Sequence, residues 1–273
     1  MSEDAKKLIE TEAALYRYSG EDRIILSDDM REMLAGEKKA VVTVKTGIPS
    51  LDVILGGFEG GELIVISGIT GNGKTLFCQT LTRNIWNQGV YCIWFSYEVT
   101  PAHFLRQFGD TLPAFCLPAK LKGNSLAWLN QRIHEAKLKY EARVIFIDHL
   151  HFLIELSRNG NMSLEIGAIM RGLKKIALHH NIVIVLVAHT SKVRAETELD
   201  LDLIRDSSFI AQEADNVLFV WRTKEEGEAI LKVAKNRKLG IINKKIRLKK
   251  IDGILREIVE ARNEFNDRVT KSL

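Results

Sequence analysis

The chain has 273 residues, 46% of them hydrophobic and 27% charged, with a formal net charge of +4 at pH 7. That length fits one α/β domain with a full core and an additional segment, and the small charge surplus does not by itself point to nucleic acid. No apolar run reaches membrane-spanning length, the start MSEDAKKLIE lacks the apolar centre of a signal peptide, and Cys78, Cys92 and Cys116 form no CxxC, so the expectation is a cytoplasmic protein without a membrane partner, disulfide framework or cysteine zinc site.

Residues 1–40 are charge-rich and read as a helical arm. Leu8, Ile9, Ala13 and Tyr16 are spaced helically. A second short helix is expected from Ser27, with Asp28 and Asp29 in its first turn, to a stop at Gly36. The arm cannot bury much surface alone and needs its own domain or a neighbouring subunit to pack on. From about Val41 to the end at residue 273 a second pattern holds. Apolar runs at 63–66, 90–95, 144–147, 182–187 and 217–220 alternate with helical stretches at 75–86, 128–140 and 164–179. That alternation predicts a mainly parallel sheet covered by helices on both faces. Residues 245–259 differ: Asp252-Gly253 sits between two alternating runs, the pattern of a two-residue β-hairpin. Between Leu231 and Ile251 there are nine Lys or Arg and no acid, open to a basic surface or to a basic edge strand that resists aggregation. Trp86, Trp94, Trp128 and Trp221 fall in regular elements and read as packing residues.

The segment Gly68-Ile69-Thr70-Gly71-Asn72-Gly73-Lys74-Thr75 fits G-x-x-x-x-G-K-[ST], with an apolar strand before it and a helix after it. Glycines let backbone N–H groups curl around phosphate oxygens, and the helix N-terminus adds its positive dipole end. Gly68, Gly71, Asn72, Gly73, Lys74, Thr75 and Leu76 are therefore expected to bind ATP, with Lys74 at the β- and γ-phosphates and the Thr75 hydroxyl on Mg²⁺.

Such a site also needs carboxylates. Asp148 ends Val144-Ile145-Phe146-Ile147, which puts it at a strand's carboxyl end beside the loop, as an acid for the metal. Glu98 leaves the end of the run at 91–95 and is assigned as the base that activates water. His149 and His151 alternate as two metal ligands would, with no third ligand close in sequence. They read as ordinary hydrogen-bonded histidines. Arg222, beside Trp221, is a candidate to approach the nucleotide.

These pieces together resemble the RecA-like ATPase domain of DnaB-type hexameric replicative DNA helicases. Thr46-Gly47-Ile48-Pro49-Ser50-Leu51-Asp52, Gly56-Gly57-Phe58 and Gly61-Glu62-Leu63 resemble the family's lead-in to its phosphate loop. Phe95-Ser96-Tyr97-Glu98 resembles the segment with the catalytic glutamate, and Ile147-Asp148-His149-Leu150 the metal-binding strand end. Ala188-His189-Thr190 resembles the strand end with the γ-phosphate sensor. Arg205-Asp206-Ser207-Ser208, followed by Ile210, Gln212, Ala214 and Asp215, resembles the DNA-contacting loop and the strand after it. Lys235-Asn236-Arg237 resembles the motif whose arginine acts in the neighbour's site. Ser208 stands where a glycine is usual, and His149 and His151 where an aromatic and an amide are usual.

The resemblance covers roughly residues 41–260 and implies a RecA-like P-loop fold for the domain of residues 41–273, with the helical arm of residues 1–40 latching onto an adjacent subunit. It implies a ring, expected to be a hexamer, that hydrolyses ATP with Mg²⁺ and moves on single-stranded or forked DNA during replication. A primase or a helicase loader would be its partner, in a bacterial cell or a virus-infected host cell. His189 would sense the γ-phosphate, and Arg237 with Lys235 would act on the neighbour's nucleotide. Lys192, Arg194, Arg205, Asp206 and Ser207, with Arg158 on a second loop, would hold the DNA backbone. The alternatives are a RecA- or RadA-like recombinase, a KaiC-like regulatory ATPase, and a nucleotide-dependent assembly module without turnover.

Overall fold

The computed structural model describes residues 3–20, 23–36, 43–109, 112–122, 125–154, 162–190, 199–204 and 207–258. It separates into two compact units, Met1–Val42 and Thr43–Leu273. The first holds α1 (Glu3–Tyr16) and α2 (Ser27–Gly36). Asp28 and Asp29 lie in the first turn of α2, where negative charge suits the helix dipole. Leu15, Tyr16, Ile24, Leu26, Met30 and Met33 are all exposed.

The second unit opens with β1 (Thr43–Val44), α3 (Pro49–Leu55) and β2 (Phe58–Glu59), with β1 and β2 paired antiparallel. Asp52 holds the turn into α3 by accepting the backbone N–H groups of Thr46 at 2.7 Å and Gly47 at 3.1 Å. Pro49 sits in the first turn of α3, where its missing N–H has no intrahelical partner to lose. The chain continues through β3 (Leu63–Gly68), α4 (Lys74–Trp86), β4 (Cys92–Ser96), α5 (Pro101–Arg106) and α6 (Leu126–Tyr140). Next come β5 (Val144–Asp148), α7 (Met162–His180), β6 (Val183–His189), α8 (Ser207–Glu213) and β7 (Asn216–Arg222). It closes with β8 (Glu228–Asn236), β9 (Lys244–Ile251) and β10 (Ile254–Glu257).

The main sheet has the order β10-β9-β8-β7-β3-β6-β5-β4. Strands β3 to β7 run parallel, and β8, β9 and β10 extend the sheet antiparallel. Every residue of β3, β5 and the edge strand β4 is buried, as a sheet covered by helices on both faces requires. Side chains alternate between the two faces. On one, Val65, Phe95, Ile147 and Leu186 join Leu129 and Ile133 of α6 and Ile166, Met170 and Leu173 of α7. On the other, Trp94 stacks on Phe146 at 4.6 Å and meets Phe104 of α5 at 4.7 Å. Its indole N–H donates to Thr82 of α4 at 3.0 Å, which satisfies the one polar atom that burial would leave stranded.

The hairpin forms as its sequence predicts. Ile251 pairs with Ile254, and Asp252 and Gly253 have φ of 51° and 76°, the two positive angles of a type I′ turn. Three expectations need correction. The basic run is not an edge: β8 and β9 lie inside the sheet, and the edges are β10 and β4. Lys232 on β8 turns inward, where its ammonium reaches the Leu199 carbonyl and the Asp200 carboxylate, each at 3.1 Å. Residues 207–213, read with the loop and the strand after it, form α8, and Ile210 and Ala214, four residues apart, both enter the core. Trp86 is 42% exposed, whereas Trp94 is fully buried.

The amino-terminal end of the parallel strands is tied by one buried carboxylate. Asp215 accepts from the Leu63 N–H at 2.8 Å, from Lys174 of α7 at 2.6 Å and from Arg237 at 3.0 Å. Asp215→Ala removes one partner from all three at once. The expected loss is about 2–4 kcal/mol of unfolding free energy, reduced because Lys174 and Arg237 are partly solvated. Urea denaturation measures it, and a loss below about 1 kcal/mol would show that the tie is not structural.

Candidate nucleotide site

The phosphate loop leaves the carboxyl end of β3. Gly68 has φ 153°, and a Cβ there would lie 2.2 Å from the Val220 carbonyl oxygen on β7. Only glycine lets the strand turn away so close to its neighbour. Gly73, at φ 94°, starts α4 without a side-chain cap, and no atom lies within 4 Å of where its Cβ would be. The N–H groups and the positive dipole end of a 13-residue helix therefore face open space. Gly71 and Asn72 complete the curve, and the Asn72 side chain accepts the Arg222 N–H at 3.3 Å. Lys74 is buried. Its ammonium donates to the carbonyls of Gly68 at 2.8 Å and Ile69 at 3.1 Å. Burial lowers its pKa, against the charges of Asp148 and Glu98.

Register decides which acids reach the loop. Gly68 pairs with His189, Ile147 with Leu186, and Ser96 with Asp148. Asp148 thus stops two rungs short of His189, and the Thr75 hydroxyl donates to its Oδ2 at 3.3 Å. Only 3% of Asp148 is exposed. Burial first, then the charge of Glu98, raises its pKa to about 6, while the Thr75 hydrogen bond and Lys74 hold it down. Glu98 lies two residues beyond β4. The Tyr97 N–H donates to the Asp148 carbonyl at 2.7 Å and anchors the turn that carries it.

His189 bridges the loop and the glutamate. Its Nε2 is 3.2 Å from Glu98 Oε1 and its Nδ1 is 3.4 Å from the Thr70 hydroxyl. Burial and the charge of Lys74 lower its pKa against the pull of Glu98, which favours a neutral ring. A neutral ring donating from Nε2 has Nδ1 left to accept from Thr70, so the three residues form one line from the phosphate loop to the carboxylate.

A Mg²⁺ site is consistent with these donors. The Thr75 hydroxyl and the Asp148 carboxylate are hard oxygen ligands already side by side, at the foot of the open curve where phosphate oxygens would complete the shell. A cleft of about 370 Å³ continues from the loop, lined in part by Asn72, Leu76, Arg222, Glu225 and Lys250. Of these, Glu225 and Lys250 carry no sequence signal, because neither belongs to a motif.

The remaining candidates lie elsewhere. Asn236 pairs with Asn216, which pairs with Ile64, so Arg237 sits at the amino-terminal end of the parallel strands, opposite its own phosphate loop. It binds Asp215 and the Gln212 carbonyl. Lys235 donates to the carbonyls of Ala211 at 2.5 Å, Gln212 at 3.2 Å and Ala214 at 2.7 Å, which caps the end of α8. Lys192, Arg194, Arg158, Arg205 and Asp206 lie outside the described residues, and of Ser207 only the backbone is described. The stems next to residues 191–198 are pinned by a Thr190–Ile204 bridge and by Lys232 on Leu199 and Asp200.

Residues 119–253 match the family described as DnaB-like helicase C terminal domain, and residues 44–111 match KaiC. The replicative DNA helicase DnaB of Rickettsia conorii is 25% identical over 226 aligned positions, covering 67% of this chain and 46% of the relative. The DnaB of Treponema pallidum is 25% identical over 227 positions, covering 72% of this chain and 52% of the relative. The chain spans about half the length of such curated relatives. A solved ATPase domain superposes with TM-score 0.72 at 18% identity, covering 85% of this chain and 97% of that one. The solved structure of a DnaB-like replicative helicase with its primase interactions superposes with TM-score 0.71 at 19% identity, covering 93% of this chain and 71% of that one. The fold is thus RecA-like, and the chain resembles the ATPase domain of DnaB-type helicases. No described helix is long and apolar enough to cross a membrane.

The raised pKa of Asp148 has a stability consequence. Between its ordinary 3.8 and about 6, the native carboxyl binds more protons than the unfolded one. This group therefore weakens the fold as pH rises through that window, by on the order of 3 kcal/mol once both states are ionised. Asp148→Asn should stabilise the nucleotide-free protein by about 2–3 kcal/mol at pH 7.5, with the gain vanishing toward pH 4. Urea midpoints at the two pH values check this. An equal effect at both would remove the burial account.

Proposed function

We propose that this chain is the motor domain of a ring-forming, ATP-driven DNA helicase, with each nucleotide held between two copies. The observation that carries the reading is the division of the site. Lys74, Thr75, Asp148, Glu98 and His189 converge at one end of the sheet, while Arg237 stands at the other. Arg237 cannot serve its own phosphate loop across the length of the strands. A second copy, docked head to tail, would bring it to the neighbour's. This is a heterologous contact, the kind that closes into rings.

On ATP binding, Lys74 exchanges the Gly68 and Ile69 carbonyls for β- and γ-phosphate oxygens, stronger partners for a buried ammonium. Thr75 and Asp148 would hold Mg²⁺, which when bound neutralises charge on the phosphoryl oxygens. Glu98 accepts a proton from water as the water oxygen attacks the γ-phosphorus and the bond to the β-phosphate oxygen breaks, leaving ADP and phosphate. His189 and Thr70 tie Glu98 to the loop, so its position depends on what the loop holds. The neighbour's Arg237 stabilises the transferred phosphoryl group. Lys235 secures the end of α8 beside it.

The basic residues at 192, 194 and 205, with Asp206 and Ser207 and with Arg158, would track the backbone of single-stranded DNA. Stems held at Thr190, Ile204 and Lys232 would pass the change at His189 into that segment, since His189 directly precedes Thr190. The arm, with Leu15, Tyr16, Ile24 and Leu26 exposed, would latch onto the next subunit. DnaB helicase relatives, and a solved relative described with primase, support a replicative role with a primase or loader partner. The match of residues 44–111 to KaiC favours a second reading, a regulatory ATPase that is phosphorylated without DNA.

The test is the steady-state ATPase rate at several protein concentrations, with and without single-stranded DNA. The helicase reading expects a rate rising more than linearly with concentration and increased by DNA. Arg237→Ala should lower it at least 100-fold while leaving ATP binding within about threefold, and wild type should unwind a forked duplex. A rate per chain independent of concentration and DNA, with Arg237→Ala silent, overturns the composite site and leaves the regulatory reading.

A further inference from the structure

Among the described residues, one group of three metal-ligating side chains stands out. Glu98, His149 and His189 each offer a ligand atom, and those atoms lie within 4.8 Å of one another. The sequence pairs His149 with His151. The structure instead brings His149 against His189, from a different strand, with ring centroids 3.9 Å apart. Glu98 completes the group from the turn after β4, 3.2 Å from His189 Nε2.

We propose that Glu98, His149 and His189 form a site for zinc or a similar borderline transition metal, separate from the Mg²⁺ position, whose occupancy halts hydrolysis. Ligand chemistry separates the two ions. Mg²⁺ takes hard oxygens in octahedral geometry and suits Thr75, Asp148 and phosphate. Two imidazoles and a carboxylate suit zinc, and three protein ligands with an open fourth position is a common zinc arrangement. Geometry agrees. Ligand atoms around tetrahedral zinc are about 3.3 Å apart, given bonds of about 2.0 Å. The Glu98–His189 pair is already at that spacing. Glu98 is exposed and free to turn its carboxylate toward both rings, while His149 is buried. With a metal on Nε2, the His189 proton would move to Nδ1 and be donated to the Thr70 hydroxyl, the reverse of the metal-free line, and Thr70 would then orient the ring as the second partner of a ligating histidine does.

The consequence rests on the reading of Glu98 and His189 as hydrolytic groups. A bound zinc ion takes the carboxylate that would accept the water proton and the imidazole that would report the γ-phosphate. Lys74 and Thr75 remain in place, so nucleotide binding survives while turnover stops.

The experiment uses the full chain, stripped of metal and free of nucleotide, with zinc binding read by competition against a chromogenic chelator. One equivalent per chain is expected. Glu98→Gln and His149→Gln should each weaken it at least tenfold, while His179→Ala, in the separate contact of His179 with His180, should leave it unchanged. Because Glu98 is exposed, its variant tests the site even where His149→Gln does not fold. A second arm titrates zinc into ATPase assays with Mg²⁺ in excess. Half-inhibition should fall at the zinc concentration that half-fills the site and reverse with chelator. Absence of zinc binding, or binding indifferent to Glu98→Gln and His149→Gln, overturns the site. Binding that needs those side chains without inhibition upholds the site and overturns the hydrolytic roles of Glu98 and His189.

Discussion

Five parallel strands can build a site only if they are held in register, and here the register starts from Asp215. Its carboxylate is shared by the first N–H of β3, by Lys174 from α7 and by Arg237 after β8. Its own N–H donates to the Leu63 carbonyl, which locks β7 onto the start of β3. From that pinned end the ladder runs unbroken to Gly68 and His189. The two ends of the sheet then differ in kind. One is saturated with hydrogen bonds and ion pairs, and the other ends in open loops and a bare helix N-terminus. A ligand rich in negative oxygens belongs at the second.

The open end holds charges in an unfinished state. Lys74 is buried on two carbonyls, and Asp148 is buried against a single hydroxyl, with its pKa raised by the desolvation. Both arrangements are weak for buried ions. Phosphate for the lysine and a metal for the carboxylate would relieve them together. The strain on stability and the capacity to bind are therefore one physical fact, as at many sites where ionisable groups are kept short of partners.

The same architecture sets Arg237 at the end of the sheet opposite its own phosphate loop. A guanidinium bound to Asp215 serves the fold of one chain, and in the proposed ring it faces the nucleotide of the next. Its contact with the residue that pins β3 offers a physical route by which a change at one nucleotide could be felt at the start of the strand that carries another. Lys235 shows the opposite balance, with its ammonium spent on the carbonyls of α8.

By itself, the sequence determined the elements whose cause is local. The phosphate loop is legible because glycines and a lysine at fixed spacing have few other uses. The Asp252-Gly253 hairpin is legible because two adjacent residues must take positive φ. The central strands are legible because burial on both faces leaves an unbroken apolar run. Tertiary structure alone decided what depends on residues far apart in the chain. Lys232 reads as one more cation in a basic stretch, and only the pairing of β8 between β7 and β9 turns it inward to Asp200. Residues 207–213 carry no decisive period, and it is in the folded chain that they form a helix with Ile210 and, just past its end, Ala214 in the core. His149 shows no ligand partner nearby in sequence, because Glu98 and His189 arrive from strands on either side of its own. Spacing along a chain constrains only neighbours, and strand order, set by the burial of the whole sheet, chooses which distant residues become neighbours.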